Sequence, residues 1–238
     1  MIALLTPTGT RQKQIELCAK FMYNQDYTGP VLWVIVDDGP ISTIDFIHEN
    51  FRKNWIIAKI YPSLKWRPGL NTQCDNLITA VNFIQQYKPK NIKNLFIIED
   101  DDYYSSRYLR VMNEKMGNYK LCGEANTIYY NPVKRGWRQN PNNKHSSLFQ
   151  TVISYSIIDI FKRVLERRAK FVDIMLYRHF VPRSDINLFT GENLAIGIKG
   201  LDGRPGIGIG HRENYVLQPD PDFKKLRELI GEDYKYYL

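Results

Sequence analysis

The sequence predicts an α/β protein built on a mostly parallel, doubly wound sheet. Two observations carry that expectation. Strand-like apolar runs alternate with helical apolar patterns through residues 1–100, and several of those runs stop abruptly at polar clusters. Alternation of this kind implies parallel strands joined by crossover helices. In such sheets ligands bind beyond the carboxyl ends of the strands.

The elements follow in order. Ile2 to Leu5 is a short apolar run that ends in Thr6-Pro7-Thr8-Gly9. Ile15, Cys18, Phe21 and Met22 then recur at helical spacing. Val31 to Val36 is an unbroken β-branched and aromatic run, the pattern of a strand covered on both faces, and Asp37-Asp38-Gly39-Pro40 closes it. Ile44, Ile47 and Phe51 mark a second helix, with Ser42 or Thr43 as its cap. Trp55 to Ile60 reads as a third strand. Leu77, Ile78, Val81 and Ile84 mark a third helix. Leu95 to Ile98 is a fourth strand that runs directly into Glu99-Asp100-Asp101-Asp102. The second half is less regular. Residues 131–147, rich in Asn, Pro and basic side chains, read as an exposed loop. Residues 156–165 and 171–180 look helical, residues 197–211 form a glycine-rich loop, and residues 219–238 carry a charged helix. One domain over residues 1–238 is expected, with a nucleotide half (1–110) and an acceptor half (111–238).

Apolar residues make up 43% of the 238 and charged residues 24%, values typical of a globular chain. No apolar run of about 18 residues occurs, so no membrane span is expected. The start lacks the basic and apolar pattern of a signal peptide. Three cysteines with no metal or redox spacing suit a reducing compartment. These features together point to the cytoplasm. The net charge of +8 favours polyanionic partners without bearing on the fold.

The acidic cluster carries the chemistry. Four consecutive carboxylates at a strand end repel one another and raise one another's pKa. A divalent cation removes that penalty, and oxygen ligands suit Mg2+ or Mn2+ bridging to substrate phosphates. Three polar clusters, at Thr6–Gly9, Asp37-Asp38 and Glu99–Asp102, converge on one sheet edge if the strands are parallel.

VIVDDG, FIIEDDDYY, LLTPTGTR and RPGLNTQCDNLITAV, in this arrangement along residues 1–110, resemble the GT-A glycosyltransferases of the family-2 type. The resemblance implies a GT-A fold, a nucleotide-sugar donor (a UDP-sugar favoured), and inversion at the anomeric carbon. It places Thr6, Pro7, Thr8 and Arg11 beside the nucleoside, Asp37 and Asp38 at base or ribose, and Asn71 and Asn76 near the base. Asp100, Asp101 and Asp102 cover the Asp-x-Asp motif. Both Glu99-x-Asp101 and Asp100-x-Asp102 fit its register, with Asp101 the best metal-binding match, joined by Asp102 and a late histidine, His211. Lys199, Arg204 and Arg212 would add positive charge near the diphosphate. In KFVDIMLYR, Asp173 is the candidate general base, with Glu192 and Asp185 as rivals. His48, His145 and His179 share no metal-like spacing and read as surface residues.

Basic and aromatic side chains at Lys134, Arg135, Trp137 and Arg138 suit a phosphate backbone with a stacked or flipped base. They suggest a DNA acceptor, as for phage transferases acting on hydroxymethylated bases. A glycan or small-molecule acceptor is the alternative. A metal-dependent nuclease or nucleotidyltransferase and a nucleic-acid-binding module are the rival classes.

Overall fold

The computed structural model describes every residue except Lys90, Pro205, Ile207 and Glu213, and only the backbone of His179, Phe180 and Ile209. Strand β1 (Ile2–Thr8) is buried almost throughout. Helix α1 (Gln12–Tyr23) turns Ile15, Cys18, Phe21 and Met22 inward, as their spacing predicts. Strand β2 (Val31–Asp37) is buried at every position and pairs in parallel with β3 (Trp55–Ile60). Helix α2 (Gln73–Tyr87) leads back to β4 (Asn94–Ile97). The chain continues through β5 (Tyr103–Tyr104), α3 (Tyr108–Met116), β6 (Leu121–Glu124), β7 (Ile128–Asn131), β8 (Gly136–Gln139) and β9 (Thr151–Ser154). It closes with α4 (Ile158–Glu166), α5 (Val172–Met175), β10 (Ile186–Phe189), β11 (Ala195–Ile198), β12 (Gln218–Pro219) and α6 (Lys224–Ile230).

The large sheet has the order β10-β6-β9-β4-β1-β2-β3. Its neighbours pair in parallel except at β9, which runs against both β4 and β6. Side chains alternate across it. Leu4, Trp33 and Phe96 face one apolar layer with α1 and α3, and Leu5, Val34 and Ile97 face the other with α2 and α4. Each fully buried aliphatic side chain contributes roughly 1.5–3 kcal/mol over exposure. These two layers therefore hold the strand tips in register. A smaller sheet, β12-β8-β7-β11-β5, packs beside the first. Among the described residues no helix is long and apolar enough to cross a membrane.

Two expectations are corrected. Residues 41–54 form successive turns and no helix, although Ile44 and Ile47 are buried as expected. Asp37 is the reason: its carboxylate accepts the backbone N–H of Gly39 (2.9 Å) and both N–H (2.6 Å) and Oγ1 (3.0 Å) of Thr43. Such side-chain bonds compete with helix formation. Residues 131–147 are only partly loop, because residues 136–139 pair with β7 as an antiparallel hairpin whose outer strand also pairs with β12.

Candidate active site

The tips of β1, β2 and β4 meet at one edge, as the parallel order requires. Thr8 Oγ1 donates to Asp100 Oδ2 (2.6 Å), and Arg11, just before α1, reaches Asp100 Oδ1 (2.7 Å) and Asp101 Oδ2 (3.2 Å). Lys199, immediately after β11, brings Nζ to 2.9 Å from Asp102 Oδ1, and Ile198 N–H donates to the same oxygen at 2.8 Å. Two buried cations thus face four carboxylates.

A cavity of about 700 Å³ opens above these tips. Of the residues chosen from sequence, Pro7, Thr8, Arg11, Asn71, Asp100, Asp101, Asp173, Lys199, Arg204 and His211 line it. Thr6, Asp37, Asp38, Asn76 and Asp102 are buried behind that lining. Thr6 Oγ1 accepts from Trp33 Nε1 (2.9 Å), and Asp37 is consumed by the turn it organises. Asp38 accepts from Thr72 Oγ1, from Asn76 Nδ2 (2.8 Å) and from Arg204 Nη1 (2.9 Å). Arg204 also donates to Thr72 Oγ1 (2.7 Å), while its carbonyl accepts from Arg11 (2.8 Å). The glycine-rich segment after Lys199 is therefore tied across the tips of β1 and β2. Gly9, with φ +151°, permits this closeness, since a Cβ there would run into Asp38 Oδ1.

The group suited to a cation is Glu99, Asp101 and Asp102, each offering one oxygen, with all three oxygens within 4.8 Å of one another. Asp102 Oδ2 is buried and has no hydrogen-bond partner among the described residues. A buried carboxylate oxygen without a donor is costly, and a divalent cation with oxygen ligands would satisfy it. The residues fit such an ion. The structure thus adds Glu99 to Asp101 and Asp102. His211, the third ligand expected from sequence, lines the same cavity outside this trio. Burial lowers its pKa to about 4 and leaves its imidazole uncharged.

Burial raises Glu99 to about 8 and Asp102 to about 7. Burial also opposes ionisation of Asp101, but Arg11 and Lys199 outweigh it and hold that carboxyl low. Folded-state values above the ordinary carboxylate range mean that the native chain keeps protons which the unfolded chain has released. Stability then falls as pH rises through that interval. Burial lowers His145 and His211 to about 4, from 6.5, so their contribution to the pH dependence lies below pH 6.5. Arg11 and Lys199 remain charged throughout. Between pH 6.5 and 8 the melting temperature of the metal-free protein should therefore fall, and Mn2+ should raise it most at pH 8. Calorimetry at a series of pH values checks this, and a rising profile without metal would contradict the strained cluster.

Asp173 lines the same cavity, and burial raises its pKa to about 6. His145 Nε2 lies 3.8 Å from its Oδ2. His145 is thus a correction to the surface reading: it is partly buried and lines the cavity. His48 is exposed as expected, and the side chain of His179 lies outside the described residues. Lys134, Arg135, Trp137 and Arg138 are not brought to the cavity. They belong to the β7–β8 hairpin, which packs on the C-terminal segment: Arg135 over Phe223, Trp137 under Lys225, Arg138 over Tyr215. Residues that sequence reasoning missed include Trp66, Phe171 and Arg178 on the cavity wall.

The strand order and the likeness below give a GT-A-like fold, a Rossmann-like, mostly parallel sheet with a second, smaller sheet beside it. Among solved structures, the chain is similar to TarS of S. aureus. Residues 1–349 of that protein align with a TM-score of 0.58 at 13% identity, over 83% of this chain and 60% of that one. The same fragment solved with UDP-GlcNAc aligns at 0.54 and 13% identity, over 86% and 60%, and with UDP at 0.54 and 12%, over 83% and 60%. A longer TarS structure is matched over 36% of its length, so this chain spans less than two thirds of each of these neighbours. No family model matches the chain, and no curated protein matches it in sequence.

Proposed function

We propose that this chain is a metal-dependent glycosyltransferase that moves a sugar from a UDP-sugar to an acceptor hydroxyl. The observation that carries the reading is the Glu99, Asp101 and Asp102 trio, with the orphan oxygen of Asp102, beside a cavity walled by Arg11 and Lys199. The likeness to a fold solved with UDP and UDP-GlcNAc supports the donor class. One oxygen from each member of the trio would hold Mn2+ or Mg2+, and the ion would offset charge building on the leaving diphosphate. Arg11 and Lys199 add fixed positive charge at the same place. Pro7, Thr8 and Asn71 border the nucleoside side. Asp38, held by Thr72, Asn76 and Arg204, braces that wall from behind.

Asp173, on the wall of the same cavity, takes the acceptor proton as the hydroxyl oxygen attacks the anomeric carbon and the bond to the diphosphate breaks. The resemblance to family-2-type enzymes supports single displacement with inversion. The donor half comprises residues 1–110 and the acceptor half residues 111–238. Lys134, Arg135, Trp137 and Arg138 do not line the cavity, so they give a DNA acceptor no support.

The test is a thermal-shift panel of UDP, GDP and CDP with and without Mn2+. A ligand that binds the native state raises the melting temperature. UDP with Mn2+ should give the largest shift, and equal, negligible shifts for all three would reject the reading. For Asp173→Asn, kcat should drop by about 10²–10⁴-fold while calorimetry finds UDP affinity retained. In the wild type, kcat/KM should climb with pH through about 6 and level off, because the base works only when deprotonated. Asn should abolish that limb.

A further inference from the structure

The acceptor side holds a group of cations that the proposed reaction does not use. Arg178 lines the main cavity near Asp173 and also lines a side pocket of about 410 Å³ with Lys144, Arg183, Asn143 and Tyr177. Lys170 lies on the cavity rim. Between Asp173 and Arg178 the chain passes from α5 into the wider π-helical turn of Leu176–Phe180. Such turns recur at functional sites, and here both side chains stay on the cavity wall.

Lys144, Lys170, Arg178 and Arg183 are all exposed, and among the described residues none forms an ion pair. Arg183 donates instead to the carbonyl of Asn143 (3.2 Å), which brings it against the segment carrying Lys144. Lys144, Arg178 and Arg183 share the side pocket, and Arg178, which also faces the carboxyl of Asp173, joins it to the main cavity; the group leaves local charge for an anion to neutralise. Guanidinium groups bind phosphate bidentately. The side pocket's one aromatic side chain among the described residues is Tyr177, only 4% exposed. It therefore lacks the open stacking platform that single-stranded nucleic acid uses.

We propose that the acceptor is a phosphate-bearing carbohydrate, its phosphate seated at Arg178, Lys144 and Arg183 while its hydroxyl meets Asp173. This rests on the donor reading above and names the acceptor class of that same site. The test gives the full chain, with UDP-GlcNAc and Mn2+, matched acceptors: glucose against glucose 6-phosphate and glycerol against glycerol 3-phosphate, with products read by mass spectrometry. The phosphorylated partner should be favoured at least ~10-fold in kcat/KM, roughly one charge-assisted hydrogen bond. In the exposed double variant Arg178→Gln/Arg183→Gln that ratio should fall toward one through KM, while UDP affinity by calorimetry persists. UDP binding with no transfer, with no phosphate preference, with a preference unchanged in the variant, or with greater transfer to a hydroxymethyl-pyrimidine oligonucleotide overturns the acceptor inference alone. Failure to bind UDP overturns the donor reading, and this inference with it.

Discussion

Asp101→Asn should reduce sugar transfer by about 10³-fold, some 4 kcal/mol of transition-state stabilisation, and leave a folded protein. Asp101 lines the cavity together with Glu99 of the same trio, with its side chain 11% exposed, and Arg11 and Lys199 hold its carboxyl low. Asn keeps the size and removes the charge that a divalent cation requires. The fold survives because Arg11 retains its shorter bond to Asp100 at 2.7 Å and its bond to the carbonyl of Arg204. The melting temperature without metal should stay within a few degrees of wild type, whereas the stabilisation given by Mn2+ with UDP should disappear. Activity assays and thermal shift on one preparation separate the two effects. Transfer within tenfold of wild type would remove Asp101 from the site.

The parts of this architecture legible in sequence are those dictated by neighbours along the chain. Val31 to Val36 could only be a strand covered on both faces, and it is. Leu95 to Ile98 followed by four carboxylates puts an acidic tip on the ligand edge of a parallel sheet. Competition from long-range or side-chain bonds hid the rest. Ile44, Ile47 and Phe51 have helical spacing, yet Asp37 captures Thr43 and the segment becomes turns that bury Ile44 and Ile47 anyway. Trp137 and Arg138 belong to a segment with loop composition, but pairing with Tyr130 and Tyr129 of β7, and of Trp137 with the distant Gln218, makes them part of a strand. His145 had no spacing to recommend it, and only the approach of its loop to α5 sets it 3.8 Å from Asp173. Residue chemistry was readable at the strand tips because a parallel sheet fixes where tips go, and unreadable on the acceptor side because no comparable rule places its loops.

Lys199→Met should be among the most destabilising single changes at the site. Lys199 has a side chain 7% exposed, a 2.9 Å bond to the fully buried Asp102, and ring contacts with Tyr129 (5.3 Å) and Phe149 (5.5 Å). Met preserves the packing length and removes the charge. Taking one partner from a buried pair costs about 3–5 kcal/mol because the other is left uncompensated. For a chain of this size about 3 kcal/mol corresponds to roughly 6–12 °C in melting temperature. The loss should depend on pH. Asp102 already sits near 7 with Lys199 beside it, and without that cation its carboxyl moves higher still. At pH 6 it stays protonated and neutral, so the deficit is small. At pH 8 the native state must either carry a bare buried charge or hold a proton the unfolded chain has shed, and the deficit grows. Saturating Mn2+ should recover part of it at pH 8 by supplying positive charge among Glu99, Asp101 and Asp102. Melting curves of wild type and variant at both pH values, with and without Mn2+, decide the matter. A loss independent of pH and metal would mean that Lys199 serves packing alone. A loss that tracks both would establish that buried cations and a divalent ion share one electrostatic task at the tip of β4.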